Sequence, residues 1–120
     1  MASSSDKLSP LGPRDWLTQL GPKFWNQPKH GQIDVSLWVG RLSVERMVLV
    51  VGGPGRQLTK RDDVRYFMVG CLRDAGFILD ADTKLVNGER HVSVKATGEW
   101  TTDLARKFDA CAGKEWSGEN

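Results

Sequence analysis

The sequence predicts a single α+β domain in which one helix is followed by two strand–strand–helix units. Residues 33–39 alternate between apolar and polar side chains, which is typical of a half-buried strand. Residues 59–75 repeat apolar side chains at i, i+3 and i+4 spacing, which is typical of an amphipathic helix. Asn87-Gly88 is the dipeptide that most strongly indicates a tight β-hairpin. We therefore expect a mostly antiparallel, four-stranded sheet with the helices packed on one face.

The length and composition of the chain set the limits of this domain. A chain of 120 residues fits one domain with one core, and we assign that domain to residues 10–116. The small and polar residues 1–9 and the tail at 117–120 are expected to be disordered, because they offer little apolar surface to bury.

The first half of the domain is expected to contain a short helix and a β-hairpin. Pro13 stands at a favoured first helical position, and Gly21-Pro22 ends that helix. The alternating strand at 33–39 is then joined to a second strand at 45–53. Residues 45–53 carry apolar side chains on both faces, as expected of a central strand.

The second half repeats the strand–strand–helix order. Gly76 fits the residue just beyond the end of the helix at 59–75. Two strands follow, joined at Asn87-Gly88, and the last helix is expected at about 101–113. The buried stripe of the helix at 59–75 comprises Val64, Phe67, Met68, Cys71, Leu72 and Ala75. The buried stripe of the last helix comprises Leu104, Phe108, Cys111 and Ala112.

Charge and cysteine content favour a protein of a reducing, intracellular compartment such as the cytoplasm. The 17 Lys and Arg side chains nearly balance the 15 Asp and Glu side chains, so any basic surface must come from segregation of charge. No apolar run is long enough for a membrane helix, and the N-terminus lacks the pattern of a signal peptide. The two cysteines, Cys71 and Cys111, are expected to be free, buried thiols.

The glycine-rich stretch at 51–63 raises the question of a phosphate-binding loop. It lacks the Gly-Lys-Ser/Thr ending of a P-loop and the three spaced glycines of a dinucleotide site. The preferred interpretation of this stretch is a turn that leads into a capped helix. The free amides of a helix N-terminus beside Arg56, Lys60 and Arg61 leave an anion contact as the alternative.

Catalytic and metal chemistry find little support in the sequence. His30 and His91 are the only two histidines, and no Gly-x-Ser-x-Gly nucleophile turn is present. Asp80 and Asp82 could share one side of a strand and hold a divalent ion, although alternating Asp near a strand end more often reflects turn chemistry. We therefore expect a binding protein with no cofactor and no metal.

Nucleic acid, as RNA or single strands, is the ligand class that the sequence favours. Arg61 and Arg65 flank the buried stripe of the helix at 59–75 on one side. Cations that contact phosphates, together with an aromatic ring on which bases stack, are the usual means of binding single strands. Trp38 could supply that ring from the open face of the sheet, or it could belong to the core. The predicted nucleic-acid contacts are Arg56, Lys60, Arg61, Arg65, Arg90, Lys95 and Trp38.

A protein-interaction surface is the second hypothesis. Gly70 lies within the helix at 59–75 on the side away from the core, where glycine costs about 1 kcal/mol relative to alanine. Its neighbours on that side are Tyr66, Val69 and Arg73. A small residue beside apolar ones suits close approach by another element, either the N-terminal helix or a second subunit of a homodimer. This hypothesis describes an accessory protein of a larger assembly, such as a phage or viral particle.

Overall fold

The structure, a computed structural model, describes residues 9–22, 34–52, 57–59, 62–98 and 100–118. Within these ranges the chain forms an α+β domain with a five-stranded antiparallel sheet and three helices. The elements in chain order are β1 (Trp16–Pro22), β2 (Asp34–Val39), α1 (Val44–Gly52), β3 (Asp62–Met68), α2 (Val69–Asp74), β4 (Ile78–Val86), β5 (Glu89–Lys95) and α3 (Thr102–Cys111).

The sheet has the strand order β3-β1-β2-β5-β4, and every neighbouring pair is antiparallel. Its register places Leu17 opposite Phe67, Leu37 opposite Val92, and Trp38 opposite His91. Strands β4 and β5 form the hairpin predicted at Asn87-Gly88. Both turn residues have positive φ, 51° at Asn87 and 83° at Gly88, as a type I′ turn requires.

One face of the sheet, here called the core face, carries the main hydrophobic core. Helices α2 and α3 pack against it, and Phe108 of α3 stacks on Phe67 with ring centroids 4.4 Å apart. Phe77 and Trp100 form a second stacked pair at 4.9 Å in the same cluster. The fully buried strand residues on this face are Leu17, Leu37, Phe67, Val92 and Val94.

The opposite face, here called the α1 face, is partly covered by helix α1. Met47 and Val50 of α1 pack with Trp38 of β2 to form a second, smaller core. Ser43 caps the helix, because its Oγ accepts a hydrogen bond from the backbone N of Arg46 at 3.1 Å. Helices therefore lie on both faces of the sheet, and the prediction that they pack on one face is wrong.

Three predicted elements change type in the structure. Residues 16–22 form a strand instead of a helix, and residues 44–52 form a helix instead of a strand. The predicted helix at 59–75 is divided into β3 and the short helix α2. For β1 and β3 the cause is pairing between distant segments, since they align over their whole length, from Trp16 opposite Met68 to Pro22 opposite Asp62.

Candidate functional site

Arg65, a predicted phosphate contact, has a structural role on the core face. Its guanidinium lies 5.2 Å from the centroid of the Phe67 ring and forms an ion pair with Asp109 at 2.9 Å. Its Nε donates a hydrogen bond to Gln19 Oε1 at 2.8 Å, and only 14% of its side chain is exposed. Burial lowers the pKa of Arg65, and the Asp109 carboxylate opposes that shift. These contacts join β3 to α3.

Arg90 and Lys95, the predicted cations that the structure describes besides Arg65, lie away from it. Arg90 donates to the backbone oxygens of Asp82 and Ser9, at 2.8 and 2.6 Å, and Lys95 pairs with Asp80 at 3.2 Å. Strands β1 and β2 separate Arg65 on β3 from Arg90 and Lys95 on β5, which is roughly 14 Å across the sheet. Arg56, Lys60 and Arg61 lie outside the described residues.

Trp38 belongs to the core, which was one of the two alternatives for this residue. It is 8% exposed and lies beneath Met47 and Val50 of α1. Its ring meets that of His91 edge to face, with centroids 5.0 Å apart. The indole is therefore not available as a platform for bases, and the prediction of Trp38 as a nucleic-acid contact loses its premise.

The predicted interface around Gly70 is covered by the chain itself. Trp116 of the C-terminal segment lies directly on Gly70, so that a Cβ added there would overlap the indole. Val69 is fully buried, and the Tyr66 hydroxyl donates to the backbone oxygen of Leu42 at 2.9 Å. The prediction of close approach at Gly70 is correct, and Trp116 of the chain's own C-terminal segment supplies it. Arg73, the fourth member, is exposed.

A mainly apolar groove on the α1 face is the candidate functional site. It encloses a cavity of about 300 Å³ between α1, the sheet and the end of the β4–β5 hairpin. Its mouth is apolar, because Val51 of α1 and Val86 of β4 are 50% and 44% exposed. We call it the α1 groove, and its lining comprises Leu20, Ser36, Trp38, Met47, Val50, Val51, Val86 and His91.

Three contacts hold the hairpin against α1 and thereby set the width of the groove. Arg46 Nε forms an ion pair with Glu89 Oε2 at 2.7 Å, and Arg46 Nη2 donates to the backbone oxygen of Asn87 at 2.6 Å. Asn87 Nδ2 donates to the backbone oxygen of Val50 at 3.4 Å. Gly88 lies under the same guanidinium, since a Cβ there would be 3.0 Å from Arg46 Nη2. The turn residues thus fix Val86 beside the groove.

The polar side of the groove leads to an acidic part of the sheet. His91 Nδ1 lies 3.3 Å from Asp82 Oδ2, so this carboxylate orients the imidazole on the groove wall. Asp34 and Asp80 occupy the same face of β2 and β4. Lys95 of β5 pairs with Asp80 on this face at 3.2 Å, and Lys84 lies in the irregular part of β4 between Ala81 and Leu85. The surface beside the groove therefore carries three carboxylates, those of Asp34, Asp80 and Asp82.

The described residues give no support to a metal site at Asp80 and Asp82. No group of three or more His, Cys, Asp or Glu side chains in the described ranges could hold an ion. The two carboxylates instead pair with Lys95 and His91. No helix formed by the described part of the chain is both long and apolar enough to cross a membrane.

No protein-family model matches the chain, and no curated protein or solved structure is significantly similar to it. The geometry of the α1 groove is therefore the evidence for its function. Sequence reasoning missed it because α1 was interpreted as a strand. Ser43 ahead of the apolar residues at 44–51 is the local signal for a capped helix at this position.

Proposed function

We propose that this chain is a protein-interaction module whose α1 groove holds a partner segment with an apolar side chain next to a basic one. The observation that carries the proposal is an apolar cavity whose mouth is formed by two half-exposed valines, Val51 and Val86. Apolar side chains that line a concave surface and stay accessible are typical of binding sites.

The size of the cavity favours an apolar side chain as the part of the partner that enters it. A cavity of about 300 Å³ is at the lower end of the range for small-molecule sites. Full burial of one leucine- or phenylalanine-sized side chain contributes about 1.5–3 kcal/mol. Contacts of this size, added along a short segment, give the affinity of a transient protein interaction.

Charge complementarity favours a basic residue beside that side chain. Asp82 lies at the groove wall through its contact with His91, and Asp80 is two residues away on the same face. A lysine or arginine of the partner would meet carboxylates that are partly exposed, so attraction should weaken with added salt. Acidic segments would be repelled.

The test is selection of short random peptides on the full chain, followed by counter-selection on a groove variant. Val86→Glu places a carboxylate at the mouth of the groove. Leu85→Glu is the matched control, because Leu85 is the preceding residue of β4, faces the other side of the sheet and is similarly exposed at 54%. We expect enriched peptides to combine an apolar residue with Lys or Arg and to be lost on Val86→Glu alone. Absence of enrichment, or equal loss on both variants, would contradict the proposal.

Nucleic-acid binding is a second proposal, supported by the clustering of Arg56, Lys60 and Arg61 within a few residues of sequence. Its test is an electrophoretic titration with labelled single-stranded RNA and duplex DNA at two salt concentrations. Binding to RNA that weakens with salt and is lost when all three residues are changed to Glu would support it. RNA binding of equal affinity at both salt concentrations would contradict this second proposal.

A further inference from the structure

The two cysteines of the chain meet between α2 and the end of α3. Cys111 Sγ donates to the backbone oxygen of Cys71 at 3.4 Å, and Cys71 Sγ donates to the backbone oxygen of Lys114 at 3.5 Å. Lys114 is itself held to the last turn of α3, because its backbone N donates to the oxygen of Cys111 at 3.2 Å. Each thiol is therefore anchored to the segment that carries the other.

Both thiols also line a cavity that is larger than the α1 groove. This cavity, here called the thiol cleft, has a volume of about 540 Å³. Lys107 and Lys114, both exposed, contribute two cations to its wall, Asp74 and Glu115 contribute two carboxylates, and Trp116 contributes an aromatic surface. A cleft of this volume admits a drug-sized molecule, and a lining with both lysines and acids complements one that carries both carboxylates and amines, as glutathione disulfide does.

We propose that Cys71 and Cys111 form a redox site that a carboxylate-bearing, low-molecular-weight disulfide oxidises to an intramolecular disulfide bond. The exposure of the thiols sets the order of events. Cys71 is partly exposed, whereas Cys111 is 7% exposed beneath it. The small disulfide therefore reacts first with Cys71.

The chemistry is two successive thiol–disulfide exchanges. The Cys71 thiolate attacks one sulfur of the small disulfide, which breaks its S–S bond, forms a mixed disulfide and releases one small thiolate. The Cys111 thiolate then attacks the Cys71 sulfur and releases the second small thiolate. Two electrons pass from the cysteine pair to the small disulfide, and the two cysteine protons are taken up by the released thiolates or by solvent.

Burial slows this exchange at neutral pH without preventing it. Desolvation raises the pKa of Cys71, with Asp74 adding to the shift and Lys114 opposing it. Desolvation and the neighbouring Cys71 raise the pKa of Cys111 to about 11. Since the thiolate is the nucleophile, the reduced protein is stable towards weak or brief oxidation. A sustained rise in the concentration of small disulfides closes the bond.

The experiment treats the full-length, folded protein with glutathione disulfide and follows it by mass spectrometry and by titration of free thiols. We expect loss of both thiols together and a cross-linked peptide that contains Cys71 and Cys111. Cys111→Ser should retain a stable glutathione adduct on Cys71, because no second thiol resolves it. Cys71→Ser should leave Cys111 at least tenfold less reactive in the folded protein than in denaturant.

Three outcomes would overturn the proposal. One is a glutathione adduct that persists on wild-type Cys71, since this would show that Cys111 cannot reach it. Another is oxidation that only joins separate chains. The third is faster reaction at Cys111 than at Cys71. Circular dichroism of both serine variants controls for loss of fold, and equal reactivity of all proteins in denaturant controls for intrinsic thiol chemistry.

Discussion

Arg46 of α1 and Glu89 of β5 form an ion pair at 2.7 Å that holds the β4–β5 hairpin against the helix. The same guanidinium donates to the backbone oxygen of Asn87, so one side chain joins both the strand and the turn to α1. The α1 groove lies between the elements that this residue connects. We therefore expect the geometry of the groove to depend on Arg46.

Replacement of Arg46 by Ala should loosen the groove at a small cost in stability. Because 41% of the Arg46 side chain is exposed, we expect the free energy of unfolding to fall by only about 1 kcal/mol. Affinity for a groove-selected peptide should fall more, by about tenfold. Urea unfolding and a binding titration measure the two effects. Arg106→Ala, at an exposed position of α3, is the control and should change neither quantity. Peptide affinity unchanged by Arg46→Ala would contradict the inferred role.

Gly70→Ala should destabilise the protein by about 1–3 kcal/mol, because the new methyl group overlaps the indole of Trp116. Gly98→Ala is the matched control, since no atom lies within 4 Å of a Cβ there. In a Trp116→Ala background, Gly70→Ala should cost much less. Thermal or urea unfolding of the four variants measures this coupling. Equal costs at Gly70 in the two backgrounds would show that Trp116 does not cover it.

Asp109→Ala should destabilise the protein by about 1.5–3 kcal/mol, because it removes the carboxylate that pairs with the largely buried Arg65 side chain. The remaining hydrogen bond to Gln19 limits the loss. Asp103→Ala, which removes an exposed acid from the first turn of α3, should cost less than 1 kcal/mol. Urea unfolding compares the two. Equal effects would argue that Arg65 is solvated and available to phosphates after all.

The reduced protein should lose stability as pH rises from about 9 towards 11. The pKa of Cys111 is raised from its ordinary 9.0 to about 11, so the unfolded chain releases this proton first. The stabilisation is thus complete below pH 9 and is lost as pH passes through the folded pKa. Asp74 and Lys114 act on the thiol, and Lys107 and Glu115 also line the thiol cleft. Unfolding in reductant at several pH values, with Cys111→Ala as reference, measures the difference, and identical pH profiles would contradict it.

The β4–β5 hairpin and helix α3, which local signals specify, were predicted correctly from the sequence. The β4–β5 hairpin follows from Asn87-Gly88, whose backbone conformations suit a two-residue turn. Helix α3 follows from its amphipathic spacing and from Thr101, whose side chain accepts a hydrogen bond from the backbone N of Leu104 at 3.2 Å. Each of these signals acts within a few residues, so no knowledge of the rest of the fold is needed.

Elements specified by distant partners were not predictable in the same way. Val64, Phe67 and Met68 fit a helical stripe, but β3 places Phe67 and Met68 on opposite sides of the sheet because β1 pairs along it. The α1 groove was hidden for two reasons: α1 was interpreted as a strand although Ser43 caps it, and the contact that holds the hairpin against α1 is long-range. It is closed by an ion pair between residues 43 positions apart, and nothing local to Arg46 or Glu89 indicates that pairing.

The affinity of a groove-selected peptide for Val86→Glu and Leu85→Glu tests the central claim most directly. The two substitutions add the same charge to adjacent residues of β4, and only Val86 lines the α1 groove. Isothermal titration should show at least tenfold weaker binding for Val86→Glu and wild-type binding for Leu85→Glu, with both proteins folded. Wild-type binding by Val86→Glu, or equal weakening by both substitutions, would contradict a binding site in the α1 groove.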